Sequence, residues 1–203
     1  MKSFFSIFRE SARELKKTTT LTVCGLLIAL SIILRAFSVP LTIDVRITFS
    51  YIPIAVIAML FGPVSAVIAN TATDFIGFLV DNKSARGYNP YLLIPVILAA
   101  LIYGLFLYRK RLNLIMVTLS RIAVVLISNI TLKSYILYIS YYNKNFNPFT
   151  PDTAFISWFS LRVAKNAIQL PIDLALLCIL LPIIRLSYER VFGRGIRRMH
   201  QGV

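Results

Sequence analysis

Asp74, Lys133, Arg162, Lys165 and Asp173 are charged residues set inside stretches that are otherwise apolar. A charge in such surroundings is costly, so these positions are candidates for ligand binding or for pairing with one another. Their chemistry is recognition: ammonium and guanidinium groups hold anions, and carboxylates accept from N–H donors. Lys165, Asn166, Gln169 and Asp173 lie three, four, seven and eleven residues along from Arg162, which puts all five on one face of a helix. Asn70 and Asp74 are an i, i+4 pair, as are Asn129 and Lys133. Arg46 stands just before another apolar run, and Trp158, Phe49, Tyr51, Tyr88, Tyr91, Tyr135 and Tyr138 could stack on a flat ring. Tyrosine and tryptophan also populate membrane interfaces whatever a protein does, and that reading stands beside the first.

Other chemistries lack their residues. The sequence has no glycine-rich phosphate loop ending in Lys-Ser or Lys-Thr, and its one histidine, His200, sits in a basic tail. No histidine, cysteine and carboxylate cluster suits a metal, and no nucleophilic triad can be assembled. An enzyme is therefore not expected, and neither is a cofactor or a metal. A chain that binds a solute but has no engine of its own points to a subunit of a larger transporter.

The elements that must position these residues are read from where charge is missing. Residues 18–34, 47–73, 154–161 and 174–184 carry none, and the composition is 58% hydrophobic with a mean hydropathy of +0.77. That is the composition of an all-α membrane protein. Six helices are predicted, at 18–39, 49–61, 63–80, 91–108, 114–142 and 154–188, in a single integral membrane domain covering 1–203. The uncharged run 47–73 is split at Phe61-Gly62-Pro63, a turn signal followed by a proline suited to a first helical turn. The first apolar segment follows Lys17 without a small-residue cleavage site and is expected to remain as a span.

The net charge of +14 comes from basic residues that flank the spans, so a partner bilayer is expected and nucleic acid is not. Thirteen basic residues fall on one side if both termini are cytoplasmic, against Arg46, Lys83, Arg86 and Lys144 on the other. The expected location is the cell membrane, multi-pass, with 1–17 and the basic tail 189–203 inside. Cys24 and Cys178, both within spans, read as reduced core residues.

On this topology the outer half collects Arg46, Lys133, Arg162 and Lys165 against Asp74 and, deeper, Asp173, an excess of positive charge suited to an anionic ligand entering from outside. Three bland alternatives are open. Asp74 could pair with Arg162 or Lys165 only to hold helices together, Asp173 could be a packing or pairing residue, and Lys133 could reach outward to the headgroups. Arg121, seven residues into the fifth helix, is expected to reach the inner headgroups and to be structural.

The stretch Arg46-Ile-Thr-Phe-Ser-Tyr-Ile-Pro-Ile-Ala-Val-Ile-Ala-Met-Leu-Phe-Gly-Pro63, followed by Asp74 in a small-residue helix, resembles the substrate-binding S components of energy-coupling factor (ECF) transporters. Leu161-Arg-Val-Ala-Lys-Asn-Ala-Ile-Gln-Leu-Pro171 is similar to a segment of the folate-specific branch. The resemblance implies a six-helix S-component bundle that captures a vitamin from outside and works with a transmembrane coupling (T) subunit and two cytoplasmic ATPases. It also implies roles. Arg46, Arg162 or Lys165 would hold the two carboxylates of folate's glutamate tail, Asp74 would accept from the pterin, and Asn70 and Asn166 would complete the pterin edge. Lys133 and Trp158 belong to the same substrate-binding set. Gly25 and Ala29, a small-xxx-small pair on the first span, would meet the coupling subunit, and the loops 1–2 and 3–4 would form a lid. Another anionic vitamin, such as biotin or pantothenate, is the nearest variant. A standalone channel or secondary carrier and an assembly protein without a solute site are the readings from other classes.

Overall fold

Each predicted apolar segment forms a helix in the computed structural model. The structure describes residues 4–40, 46–80, 87–109, 113–141 and 153–192. In chain order the helices are α1 (Phe4–Glu14), α2 (Thr18–Ala36), α3 (Tyr51–Phe61), α4 (Pro63–Val80), α5 (Leu93–Leu107, entered through a short 3₁₀ turn at Pro90–Leu92), α6 (Leu114–Ala123), α7 (Lys133–Tyr141) and α8 (Thr153–Phe192). A π-helical stretch, Val124–Leu132, joins α6 to α7 into one span, Leu114–Tyr141. Five helices are long and apolar enough to cross a bilayer, and α3 is a shorter apolar sixth. The fold is therefore an all-α bundle of the kind expected. Its only ladder among the described residues is the pairing of Val39–Pro40 with Arg46–Ile47.

The chain alternates direction, so two ends of the bundle can be named. The basal end carries Thr18, Phe61, Leu107 and Leu114, and the apical end carries Ala36, Val80, Pro90, Tyr141 and Thr153. At the basal turn between α3 and α4, Gly62 adopts φ +90°, a conformation disfavoured for residues with a Cβ, and Pro63 opens α4 as predicted. Ser11 of α1 closes this turn. Its hydroxyl donates to the Phe61 carbonyl at 2.7 Å and accepts from the Val64 N–H at 3.1 Å, so a residue 53 positions away caps α4. The segment 1–17 thus contains a helix docked on the bundle, with Glu10 of α1 also paired to Arg109.

The core is built around α3, of which Pro53, Ile54, Ala55, Val56, Ile57, Ala58, Met59 and Phe61 are all buried. Small residues allow close approach where helix meets helix. A Cβ on Gly104 of α5 would fall 2.4 Å from the Pro63 Cα, so glycine is required for α5 to lie against the start of α4. Leu177 and Leu181 of α8 close the core, while Leu26, Ile68, Ile94, Leu126, Ile168 and Ile179 point outward, as lipid-facing residues should.

With 11 residues, α3 is about 16 Å long at 1.5 Å per residue, roughly half the hydrocarbon thickness. Its apical end therefore begins at mid-depth, and the preceding residues 46–50 descend into the bundle. The Ser31 hydroxyl of α2 donates to the Ser50 carbonyl at 2.6 Å, which fixes that descent. The expected loops, roughly 40–48, 81–90 and 143–153, lie largely outside the described residues, and of the tail expected at 189–203 the first four residues continue α8 while 193–203 lie outside them.

Candidate functional site

The polar face predicted for the last helix points into the bundle. Arg162, Asn166, Gln169 and Asp173 are all buried on α8. Asp173 is 1% exposed, and its charge is met by Arg121 of the Leu114–Tyr141 span, which is 3% exposed. The Arg121 Nε donates to Asp173 Oδ2 at 3.1 Å, its Nη2 reaches the same oxygen, and its Nη1 donates to the Tyr103 hydroxyl at 2.8 Å. This corrects the expectation that Arg121 reaches the headgroups. It shares a buried stripe with Val117, Val124, Val125 and Ser128, so its face of the helix meets protein and not lipid. The pairing role considered for Asp173 is the one found.

Tyr51, the first residue of α3, completes this deep group. Its hydroxyl donates to Asp173 Oδ1 at 2.6 Å, and its ring lies 3.8 Å from the Arg121 guanidinium carbon. Gln169 donates to Asp173 Oδ1 at 3.2 Å and to the Thr48 carbonyl at 3.0 Å.

A second carboxylate centre lies near the apical end. Asp74 is paired with Arg35 of α2, the Nη1 to Oδ1 distance being 3.4 Å, and not with Arg162 or Lys165 as considered from the sequence. The Tyr88 hydroxyl donates to Asp74 Oδ2 at 3.5 Å, and its ring meets Phe75 and Phe78 edge-on. Partial burial, and then the Asp74 charge, push the Tyr88 phenol upward from its usual pKa, so it remains a donor. Arg35 crosses α4 at Gly77, where any Cβ would fall 2.9 Å from its Nη1. Arg35, Asp74, Phe78, Tyr88, Asn89 and Tyr141 contribute to the wall of a partly open cleft of about 130 Å³.

Between these centres lie the remaining cations. Lys133, at the end of the π-helical stretch, has Arg162, Asp74 and Arg35 as charged neighbours, and Lys165 has Lys133, Asp173, Arg121 and Arg162. Neither lysine is within ion-pair distance of a carboxylate among the described residues. Of the charges here, Arg35, Arg121, Lys133, Arg162 and Lys165 oppose Asp74 and Asp173, so this region is net positive. Trp158 is half-buried in an aromatic group with Tyr138 and Phe155, and the Arg162 guanidinium carbon sits 4.9 Å from its ring.

The structure therefore brings together Asp74, Lys133, Trp158, Arg162, Lys165 and Asn166. Asn166 donates to the Arg162 carbonyl at 2.8 Å, and Asn70 donates to the Val96 carbonyl at 2.8 Å, a bond between α4 and α5. The Arg46 side chain lies outside the described residues. Gly25 and Ala29 are exposed on α2, away from this group, and a Cβ on Gly25 would meet nothing within 4 Å. Sequence reasoning missed Arg35, whose only signal is a charge one residue before a helix end, and Tyr103; it offered Tyr51 as a ring to stack on a ligand and Gln169 as part of the polar face of the last helix, whereas both are bonded to Asp173.

A buried, net-positive region inside a bundle of apolar helices is the anatomy of a membrane solute-binding protein, and a family model describes this one. Residues 19–181 match the family "ECF transporter, substrate-specific component". The chain belongs to that family. This S component is 29% identical over 158 residues to the folate transporter FolT of Clostridium novyi (strain NT), an alignment covering 78% of this chain and 85% of that protein. It also superposes on a crystal structure of FolT bound with folic acid, with a TM-score of 0.66 and 31% identity, over 78% of this chain and 88% of that one. The predicted S-component bundle is thereby established, and the chain is a multi-pass membrane transport protein.

Proposed function

We propose that this S component binds folate at the apical end and delivers it to the cytoplasm as the capture subunit of an ATP-driven importer. The observation that carries this reading is the pair Lys133 and Lys165, two ammonium groups in apolar helices beside Arg162, with no carboxylate at ion-pair distance among the described residues. A dianionic glutamate tail supplies the missing charge. Trp158 offers a stacking face, Asp74 accepts from the pterin, and Asn70, one turn below it on α4, and Asn166 of α8 complete the pterin edge. The bonds that hold Asp74, at 3.4 and 3.5 Å, are at the long limit, so replacing Tyr88 by a pterin donor costs little. Arg46 belongs to the same binding set. The folate transporter FolT and its folic acid complex support the choice of ligand.

In this reading the apical end faces outside the cell membrane and both termini face the cytoplasm, where the basic residues gather. No ATPase motif is present, so a T subunit and two cytoplasmic ATPases supply the power stroke. The exposed Gly25 and Ala29 give the T subunit a smooth strip on α2.

Titration of the purified chain with folate, followed by quenching of Trp158, tests this, with biotin, riboflavin and thiamine as controls. One-to-one folate binding without ATP is the expected result. No response to folate from folded protein overturns the reading, and a response to biotin alone moves it to another anionic vitamin.

A further inference from the structure

The deep group of Arg121, Asp173, Tyr51 and Gln169 lies beneath the cluster just described and is not needed to touch the ligand there. Gln169 is one turn below Lys165 on α8, about 6 Å further along the helix axis. Two side chains of this group reach backward to the same short piece of chain. Tyr51 is its last residue and is tied by its phenol to Asp173, and Gln169 holds the Thr48 carbonyl. Residues 48–50 have no helix of their own, and they enter the bundle at a depth where an unsatisfied backbone group is costly. Ser31 accounts for one of their carbonyls and Gln169 for another.

We propose that Asp173 and Arg121 are positioning residues for the ligand site: through Tyr51 and Gln169 they anchor residues 48–51 at mid-depth, where that segment forms the floor of the site. Arg121 holds the carboxylate in place by two donors from one guanidinium, and the Tyr103 hydroxyl holds the guanidinium in turn. The carboxylate then presents Oδ1 to both Tyr51 and Gln169. The Tyr51 ring lies against Arg121, so the phenol cannot leave Asp173 without also moving a stacked cation. The anchor thus joins the floor segment to α5, α8 and the Leu114–Tyr141 span. It rests on the folate reading only for the identity of what sits on the floor.

The test uses Tyr51→Phe, which keeps the ring over Arg121 and removes the phenol bond, with Gln169→Leu as a second variant should the first not fold. Hydrogen–deuterium exchange on the purified chain without folate reads the anchor directly. Amides of 48–52 are expected to exchange about tenfold faster in either variant, with those of α5 unchanged. Stopped-flow Trp158 fluorescence with folate reads the consequence: dissociation about tenfold faster, with association within about twofold of the parent. Unchanged exchange at 48–52 overturns the anchor. Faster exchange with unchanged folate dissociation overturns the positioning role. If the parent chain does not bind folate and exchange still rises in the variants, the anchor stands and the folate reading falls.

Discussion

The same three residue types, tyrosine, aspartate and arginine, meet twice in this bundle, and the two groups differ in water more than in chemistry. Around Asp173 the side chains of the ion pair are 4% and 1% exposed, and the Tyr51 bond is 2.6 Å long. Around Asp74 they are 30% and 24% exposed, with bonds of 3.4 and 3.5 Å. Removal from water strengthens every charge interaction and makes a lost partner costly, so the deep group is fixed. At the apical end, solvent competes for each donor and acceptor, so the group can exchange partners. One constellation thus serves as an anchor when dry and as a replaceable contact when wet.

The sharpest way to break this comparison is to remove each carboxylate. Asp173→Ala leaves a buried guanidinium uncompensated and should cost about 3–5 kcal/mol, whereas Asp74→Ala should cost about 1 kcal/mol or less. Thermal unfolding of the detergent-purified chain reads both, and equal losses would end the distinction. Next in size is the double replacement Arg121→Met with Asp173→Leu. It removes both charges together and should recover all but about 1–2 kcal/mol of the single-variant loss. Gly77→Val, on the same helix as Asp74, tests the apical group through its cation, since the new side chain must displace Arg35 from its seat on α4. It should cost about 1 kcal/mol and be non-additive with Asp74→Asn in a double-mutant cycle. Additive effects would mean that Arg35 and Asp74 are not a unit. The smallest effect is that of salt. Raising sodium chloride from about 0.05 to 0.5 M should shrink the stability difference made by Asp74→Asn and leave that of Asp173→Ala unchanged.

The helices were legible because a span needs an uninterrupted apolar run and leaves its charges at the ends. Even the turn at Gly62 was written in the sequence, since few pairs other than Gly-Pro suit a positive φ followed by a first helical turn. The polar face of α8 was legible for the same kind of reason, because spacing along one helix is a local property. Pairings between helices were not. Arg121 was misread because its distance from the helix end suits a headgroup contact, and only the neighbours on its own face reveal that it meets α8. Arg35 went unnoticed because a cation near a span terminus is ordinary, and its worth depends on Gly77 of another helix leaving room for it. The docking of Ser11 on α4 joins residues 53 apart and has no local signal at all.

The shortness of α3 also changes what the bilayer is at this point in the protein. Where a full helix would fill the hydrocarbon from face to face, this one supplies about 16 Å of plug and leaves the rest to polar chain and to whatever occupies the space above it. In the proposed function, a solute resting on residues 48–50 would already have crossed about half the dielectric barrier. The remaining barrier is a single, largely buried apolar helix that ends at its basal side in the Gly62 turn.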